Sequence, residues 1–105
     1  MMAIHTATSD NYDELVKAGF VIVDFYTETC APCKTFSKIL DSIEFELPFV
    51  NIVKVNATQY PELGDRNQIM ATPTTFFYKD GELLERHVGV IPTDQLKEKI
   101  GSYMY

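Results

Sequence analysis

The chain of 105 residues contains no tryptophan, only two cysteines and no long uncharged apolar run. Basic residues are also scarce: 9 stand against 15 acidic ones, which gives a formal net charge of −6. Such a charge attracts neither nucleic acid nor an anionic membrane, so we expect neither as a partner. The start of the chain lacks a basic segment followed by an apolar stretch. We therefore expect no signal peptide, no membrane span and a cytoplasmic location.

The two cysteines, Cys30 and Cys33, lie three positions apart. In a reducing compartment a structural disulfide is not expected, so the pair needs another explanation. Half of a zinc site is one interpretation, but zinc takes four ligands. There is no further cysteine, and His5 and His87 are far apart in the sequence, so we expect no metal. Two buried cysteines that pack as small apolar side chains are a second interpretation.

Length and local patterns predict an α/β protein with one domain over residues 1–105. Predicted strands cover residues 3–6, 20–26, 50–55, 74–78 and 82–89. Predicted helices are a first one capped by Ser9 or Asp10, a second at 34–46, a brief one within 58–70, and a last one opening at 92–94. Crossover helices imply parallel neighbours, and Asp80-Gly81 predicts an antiparallel hairpin. The result is a mixed sheet of about five strands flanked by four helices.

The position of the cysteines favours reaction over packing. Cys30 follows an apolar strand and stands at the start of a predicted helix, with Cys33 one turn later. Side chains at this spacing have Cβ atoms roughly 5–6 Å apart, close enough for a disulfide. Free N–H groups at the helix start favour the thiolate of Cys30, which is the form that attacks disulfides. Pro32 falls in the first turn, where it needs no N–H and stiffens the loop.

The segment around the cysteines, residues 23–34, resembles the active-site segment of thioredoxins, with the sequence V-D-F-Y-T-E-T-C-A-P-C-K. The resemblance continues, in the order and spacing of that family, at Lys54-Val55-Asn56, Ala71-Thr72-Pro73-Thr74, Lys79-Asp80-Gly81 and Val88-Gly89. It implies the thioredoxin fold and a protein-disulfide reductase that works by dithiol exchange and has no cofactor. The implied partners are disulfide-containing target proteins and a thioredoxin-reductase-like electron donor. The expected state is a monomer.

The resemblance also implies a role for several residues. Cys30 would attack the target, and Cys33 would resolve the mixed disulfide. Asp24, the only charge in the second strand, takes the place of a buried carboxylate in the family. Desolvation should raise the pKa of Asp24 into a range that suits proton transfer with Cys33. Lys54 would compensate the charge of Asp24 in part; a salt bridge between the two without a catalytic role is the alternative.

A substrate groove is the last implied feature. Pro73 matches the cis-proline of the family, which lies against the disulfide. The backbone of Thr72 would then pair with an extended segment of the substrate, and Gly89 would line the same groove. Thr29 and Ala31, which flank the first cysteine, complete the expected substrate-binding set. The alternatives are an ordinary proline at the start of an edge strand and a glycine at a strand end.

Four positions depart from the family pattern. Thr29 and Tyr26 stand where tryptophans are usual, Ala31 replaces a glycine, and Lys38 replaces a proline that bends the second helix. Lys38 restores a backbone donor and should straighten that helix. Ala31 should change the redox potential. Thr29 removes a large apolar surface, so we expect weaker binding of general targets. An oxidant or isomerase, and a binding module or redox sensor without general reductase activity, therefore stay open as alternatives.

Overall fold

The computed structural model describes residues 4–104, and its elements follow the predicted order. The strands are β1 Ile4–Thr6, β2 Phe20–Tyr26, β3 Asn51–Asn56, β4 Thr74–Lys79 and β5 Glu82–Val88. The helices are α1 Tyr12–Val16, α2 Ala31–Glu46, α3 Pro61–Arg66 and α4 Thr93–Met104. The prediction for the first strand includes Ala3, which lies outside the described residues. No helix within residues 4–104 combines the length and the apolar character needed to cross a membrane.

The five strands form one sheet in the order β1-β3-β2-β4-β5. Strand β3 pairs in parallel with β1 and β2, whereas β4 pairs antiparallel with β2 and β5. The predicted mixed sheet is confirmed. Strand β2 lies at its centre and is apolar on both faces because helices cover both sides.

Two apolar clusters fill the space between the sheet and the helices. On one face, Phe20 and Ile22 pack with side chains of α2 and α4, among them Phe36, Leu40, Ile43, Leu96 and Ile100. On the other face, Val21, Val23 and Phe25 pack with Tyr12, Val16 and Leu63 from α1 and α3. Since side chains alternate along a strand, Asp24 shares the face of Ile22 and lies on the side covered by α2.

The last two strands are joined by the tight turn that Asp80-Gly81 predicts. Both residues have a positive φ, 49° for Asp80 and 84° for Gly81, as a two-residue hairpin turn of this kind requires. The turn is tied to the start of β2, since the Asp80 carboxylate accepts a hydrogen bond from the N–H of Gly19 at 2.9 Å. The predicted hairpin is confirmed.

The start of α1 differs from the prediction, and the start of α2 agrees with it. Helix α1 is preceded by Asn11, not capped by Ser9 or Asp10, because the carbonyl of Thr8 accepts hydrogen bonds from the N–H groups of Asn11 and Tyr12 and closes a turn first. Helix α2 begins at residue 31 with Cys30 as its N-cap, as predicted from the position of the cysteines, whereas the apolar spacing alone indicated a helix only from residue 34. It then runs unbroken to residue 46, as expected from the lysine at position 38.

Candidate active site

The two cysteines meet at the start of α2. Cys30 and Cys33 are joined by a disulfide, and their Cα atoms lie 5.2 Å apart, within the usual range for such bonds. Cys30 has an extended backbone and precedes the first helical residue, so its side chain faces the free N–H groups of the helix. Pro32 occupies the first turn, where no backbone donor is needed. The interpretation of two unrelated buried cysteines is therefore wrong.

The helix start is polarised toward the first sulfur. The backbone N–H of Cys33 donates a hydrogen bond to Sγ of Cys30 at 3.1 Å. Such a donor, added to the positive end of the helix dipole, stabilises negative charge on that sulfur when the disulfide is open. Cys30 is also the more accessible of the two, at 7% relative exposure against 3% for Cys33.

Three residues expected in the substrate groove lie together beside the disulfide. The peptide bond between Thr72 and Pro73 is cis, as expected from the resemblance. The carbonyl oxygen of Thr72 lies 3.5 Å from Sγ of Cys30; a disulfide sulfur carries no proton, so this is a packing contact. The N–H of Gly89 donates to the carbonyl of Pro73 at 2.8 Å. Gly89 has a φ of +102°, a conformation that favours glycine.

The residues on either side of the first cysteine are solvent-exposed. Thr29 precedes it and Ala31 follows it, and neither is covered by another element of the fold. The rim of the site beside Cys30 therefore consists of small side chains. Val88, next to Gly89, is also exposed, at 58%.

Asp24 lies in the middle of β2 with 1% relative exposure. Neither of its carboxylate oxygens has a hydrogen-bond partner among the residues that the structure describes. Burial raises the pKa of Asp24 to about 7, and the charge of Lys54 offsets this rise only in part. Lys54 is its neighbour in β3, yet the two side chains form no ion pair within residues 4–104. The interpretation of a satisfied salt bridge is therefore wrong.

Asp24 and Cys33 line the same cleft, which has a volume of about 210 Å³. The ammonium group of Lys54 also faces this cleft, but it donates its hydrogen bond to Oγ of Ser37 and lies 5.7 Å from the centre of the Tyr26 ring. Ser37 is not among the site residues predicted from the sequence. Its position, four residues after Cys33 on the same face of α2, was the available signal.

A second cleft, of about 230 Å³, lies on the other side of Thr27. Oγ1 of Thr27 and Oγ1 of Thr72 share a hydrogen bond at 3.2 Å, which ties the loop before the disulfide to the cis-proline loop. Met70 lines this second cleft and is 91% exposed. Thr27 is not among the site residues predicted from the sequence, because the hydroxyl that it contacts lies 45 residues away.

Metal ligands do not gather at the site. His5 lies in β1 and His87 in β5, the two opposite edges of the sheet. In the described part of the chain, no three side chains of histidine, cysteine, aspartate or glutamate come together in a group that could hold a metal ion. What the site combines is a helix-capping disulfide, a cis-proline beside it and an unpaired buried carboxyl behind it.

Comparisons with known proteins agree with this arrangement. The thioredoxin family model matches residues 3–102. A thioredoxin of Chlamydia muridarum is 32% identical over 100 residues, which cover 95% of this chain and 98% of the relative. A thioredoxin of Bacillus subtilis is 31% identical over 98% of this chain and 100% of its own length. Thioredoxin Y2, chloroplastic, of Arabidopsis thaliana is 36% identical over 89% of this chain and 58% of its own length.

Together, the fold and the cysteine pair define a thiol–disulfide oxidoreductase, a protein that exchanges its own disulfide with those of other molecules. The chain belongs to the thioredoxin family, and its fold is the thioredoxin fold. It is accordingly a disulfide reductase whose substrates contain disulfides.

Proposed function

We propose that the chain reduces protein disulfides by dithiol exchange, in which Cys30 attacks and Cys33 resolves. The observation that supports this direction is the hydrogen bond from the N–H of Cys33 to Sγ of Cys30 at the start of α2. It favours the thiolate on the first cysteine and leaves the second, more buried one to act after a target has bound.

The reaction then runs in two exchanges. The thiolate of Cys30 attacks one sulfur of the target disulfide, whose S–S bond breaks as a mixed disulfide forms, and the other target sulfur leaves as a thiolate. Cys33 loses its proton and attacks Sγ of Cys30, which releases the first target sulfur and closes the Cys30–Cys33 disulfide. The target gains two electrons and, with protons from Asp24 and solvent, ends as a dithiol.

Asp24 is the group that we propose to accept the proton of Cys33. Its carboxyl lines the same cleft as Cys33, and no protein donor competes for its oxygens within the described residues. A pKa near 7 suits a base that takes up and returns a proton at neutral pH. Lys54 lines the same cleft, and its charge lowers the pKa of Asp24 in part without a direct contact between the two side chains.

The groove beside the disulfide is the proposed binding site for the target. Thr72 would offer its backbone to an extended segment of the target, as in strand addition. Pro73 and Gly89 would shape the groove that holds the target sulfur next to Cys30. Thr29 and Ala31 would contact the target at the rim. The small side chain at position 29 offers little apolar area, so we propose weaker binding of general targets and a narrower target set.

The same proposal includes the electron donor, the cellular location and the oligomeric state. A dithiol that reduces targets has to be reduced again, so we propose a thioredoxin-reductase-like electron donor and a cytoplasmic location, where thiols are kept reduced. We further propose that residues 1–105 act as one domain and as a monomer. Sedimentation equilibrium of the oxidised and reduced protein tests the last point.

Reduction of insulin by dithiothreitol tests the function directly. We expect the chain to accelerate this reaction and to have a redox potential near the thioredoxin value of about −270 mV against glutathione. A potential near about −120 mV would instead identify an oxidant. No acceleration at all would contradict the proposal and favour a binding module or redox sensor.

A further inference from the structure

The arrangement of charges behind the disulfide is unusual for neighbouring strands. Asp24 and Lys54 are paired in register in β2 and β3, so their side chains project on the same face of the sheet. A buried carboxylate beside an ammonium group ordinarily pairs with it, because an unpaired buried charge is costly. Here the carboxylate stays without a partner, and the ammonium binds elsewhere.

Two groups hold the ammonium of Lys54 away from Asp24. Ser37, in the second turn of α2, accepts its hydrogen bond through Oγ. The ring of Tyr26 attracts the same ammonium from 5.7 Å, within the range of cation–π interactions. Ser37 is half-buried and lines the cleft together with Asp24 and Cys33. Its hydroxyl is therefore placed to compete with the Asp24 carboxyl for the ammonium of Lys54.

We propose that Ser37 is a positioning residue: by accepting the hydrogen bond of Lys54, it prevents an ion pair between Lys54 and Asp24 and so keeps the Asp24 carboxyl able to hold a proton. This inference rests on the role proposed above for Asp24 in the proton transfer from Cys33. The contact through which Ser37 would act is its hydrogen bond with the ammonium of Lys54.

The charges around the cleft support this mechanism. Burial dominates the behaviour of Asp24, whose pKa is raised to about 7 although Lys54 lowers it in part. A direct ion pair would lower the pKa by roughly one to three units, which would make the carboxylate a weak base at neutral pH. The other titratable or charged groups that line the cleft come from β2, the following loop and α2: Tyr26, Glu28, Cys33 and Lys34. Glu28 accepts a hydrogen bond from Asn56, so its carboxylate is already engaged.

Titration of the oxidised protein tests the inference, because neither cysteine ionises in that form. The Asp24 carboxyl carbon, followed by ¹³C NMR, reports the midpoint directly. We expect Ser37→Ala to lower this midpoint by about one unit, since the ammonium is then free to pair with the carboxylate. Ser37→Thr retains a hydroxyl and should leave the midpoint within a few tenths of a unit. An unchanged or higher midpoint in Ser37→Ala would overturn the proposal.

A double-mutant cycle with Lys54→Met separates this effect from a structural one. Lys54→Met alone should raise the midpoint, since it removes the positive charge. Adding Ser37→Ala to Lys54→Met should produce no further shift, because Ser37 acts only through the ammonium. An equal shift with and without Lys54 would overturn the proposal. Alanine favours helices, so Ser37→Ala is expected to fold, and its unfolding transition checks this.

The titration and the kinetics together distinguish a failure of the Ser37 inference from a failure of the proposed role of Asp24. If Asp24 is the base, the rate at which Cys33 releases a mixed disulfide in Ser37→Ala follows the same shift along the pH axis. A lowered NMR midpoint with an unmoved pH–rate profile supports the Ser37 inference and contradicts the proton role of Asp24. A midpoint that does not fall overturns the Ser37 inference, whatever the kinetics show.

Discussion

The two sides of the disulfide differ in charge, burial and composition. On the side of Cys33, a cleft behind the helix contains a buried carboxyl and an ammonium group that do not pair with each other. On the side of Cys30, the surface consists of small uncharged residues and main-chain groups around a cis-proline. In the proposed reaction, the first side serves proton transfer and the second contacts the polypeptide substrate.

Under the proposed function, one short motif supports these two tasks. Only three positions separate the sulfurs, but one turn of helix directs them toward different surroundings. On the side of Cys33, our proposal assigns to one hydroxyl, that of Ser37, the task of keeping Lys54 from pairing with Asp24.

Replacing one cysteine at a time should produce the largest contrast. Cys33→Ser should trap a stable mixed disulfide with insulin through Cys30, since the resolving thiolate is missing. Cys30→Ser should trap none, because Cys33 is almost fully buried. Non-reducing gel electrophoresis with mass spectrometry measures both. Equal trapping by the two variants would remove the distinction between the two sides.

Asp24→Asn should alter the pH dependence of stability. The folded-state pKa of Asp24 is raised to about 7, so the folded protein binds this proton more tightly than the unfolded chain, and stability is lost as the pH rises from about 4 to about 7. Asp24→Asn removes that loss. The free energy of unfolding of Asp24→Asn minus that of the wild type should therefore increase by about 4 kcal/mol between pH 4 and pH 8.

Urea unfolding of the oxidised proteins at several pH values measures this effect. The matched control is Asp94→Asn, the same substitution at an exposed aspartate in α4. A difference between Asp24→Asn and the wild type that stays constant with pH would show that the carboxyl is not perturbed by burial.

Gly89→Ala should destabilise the protein at the groove beside Cys30. A φ of +102° is unfavourable for alanine, although no neighbouring atom obstructs a Cβ there, so we expect a loss of about 2 kcal/mol in the free energy of unfolding. Gly101→Ala is the control: Gly101 lies in α4 with no neighbour within 4 Å of the added Cβ, and this change should stabilise the helix by about 0.5–1 kcal/mol. Denaturant unfolding measures both, and opposite signs are the expected outcome.

Thr29→Trp should give the smallest effect. An aromatic ring at the rim adds apolar contact with the target, worth about 1 kcal/mol, so the KM for insulin should fall about fivefold with little change in kcat. Ser102→Trp, an exposed position in α4, controls for the added ring. If KM is the same for Thr29→Trp and the wild type, the rim does not limit target binding.

Much of the fold could be predicted from local patterns. The apolar run of β2, the helical spacing in α2 and the Asp80-Gly81 turn each encode one element, and all three formed as expected. The caps were harder, since the start of α1 depends on which carbonyl the first N–H groups reach. Thr8 accepts those bonds and moves the start of the helix to residue 12.

The candidate site likewise has features that the sequence determines and features that depend on the tertiary structure. The sequence by itself determined the order of the elements and the cysteine pair at a helix start, because strand and helix periods and the helix-capping position are local properties. Only the tertiary structure decided that Lys54 binds Ser37 and leaves Asp24 unpaired. That choice depends on how β2, β3 and α2 pack against one another, and it brings together side chains that lie up to 30 positions apart along the chain. Which partner the ammonium group binds depends on the distances and the burial of the competing groups in the folded protein, and the spacing of residues along the chain does not specify these.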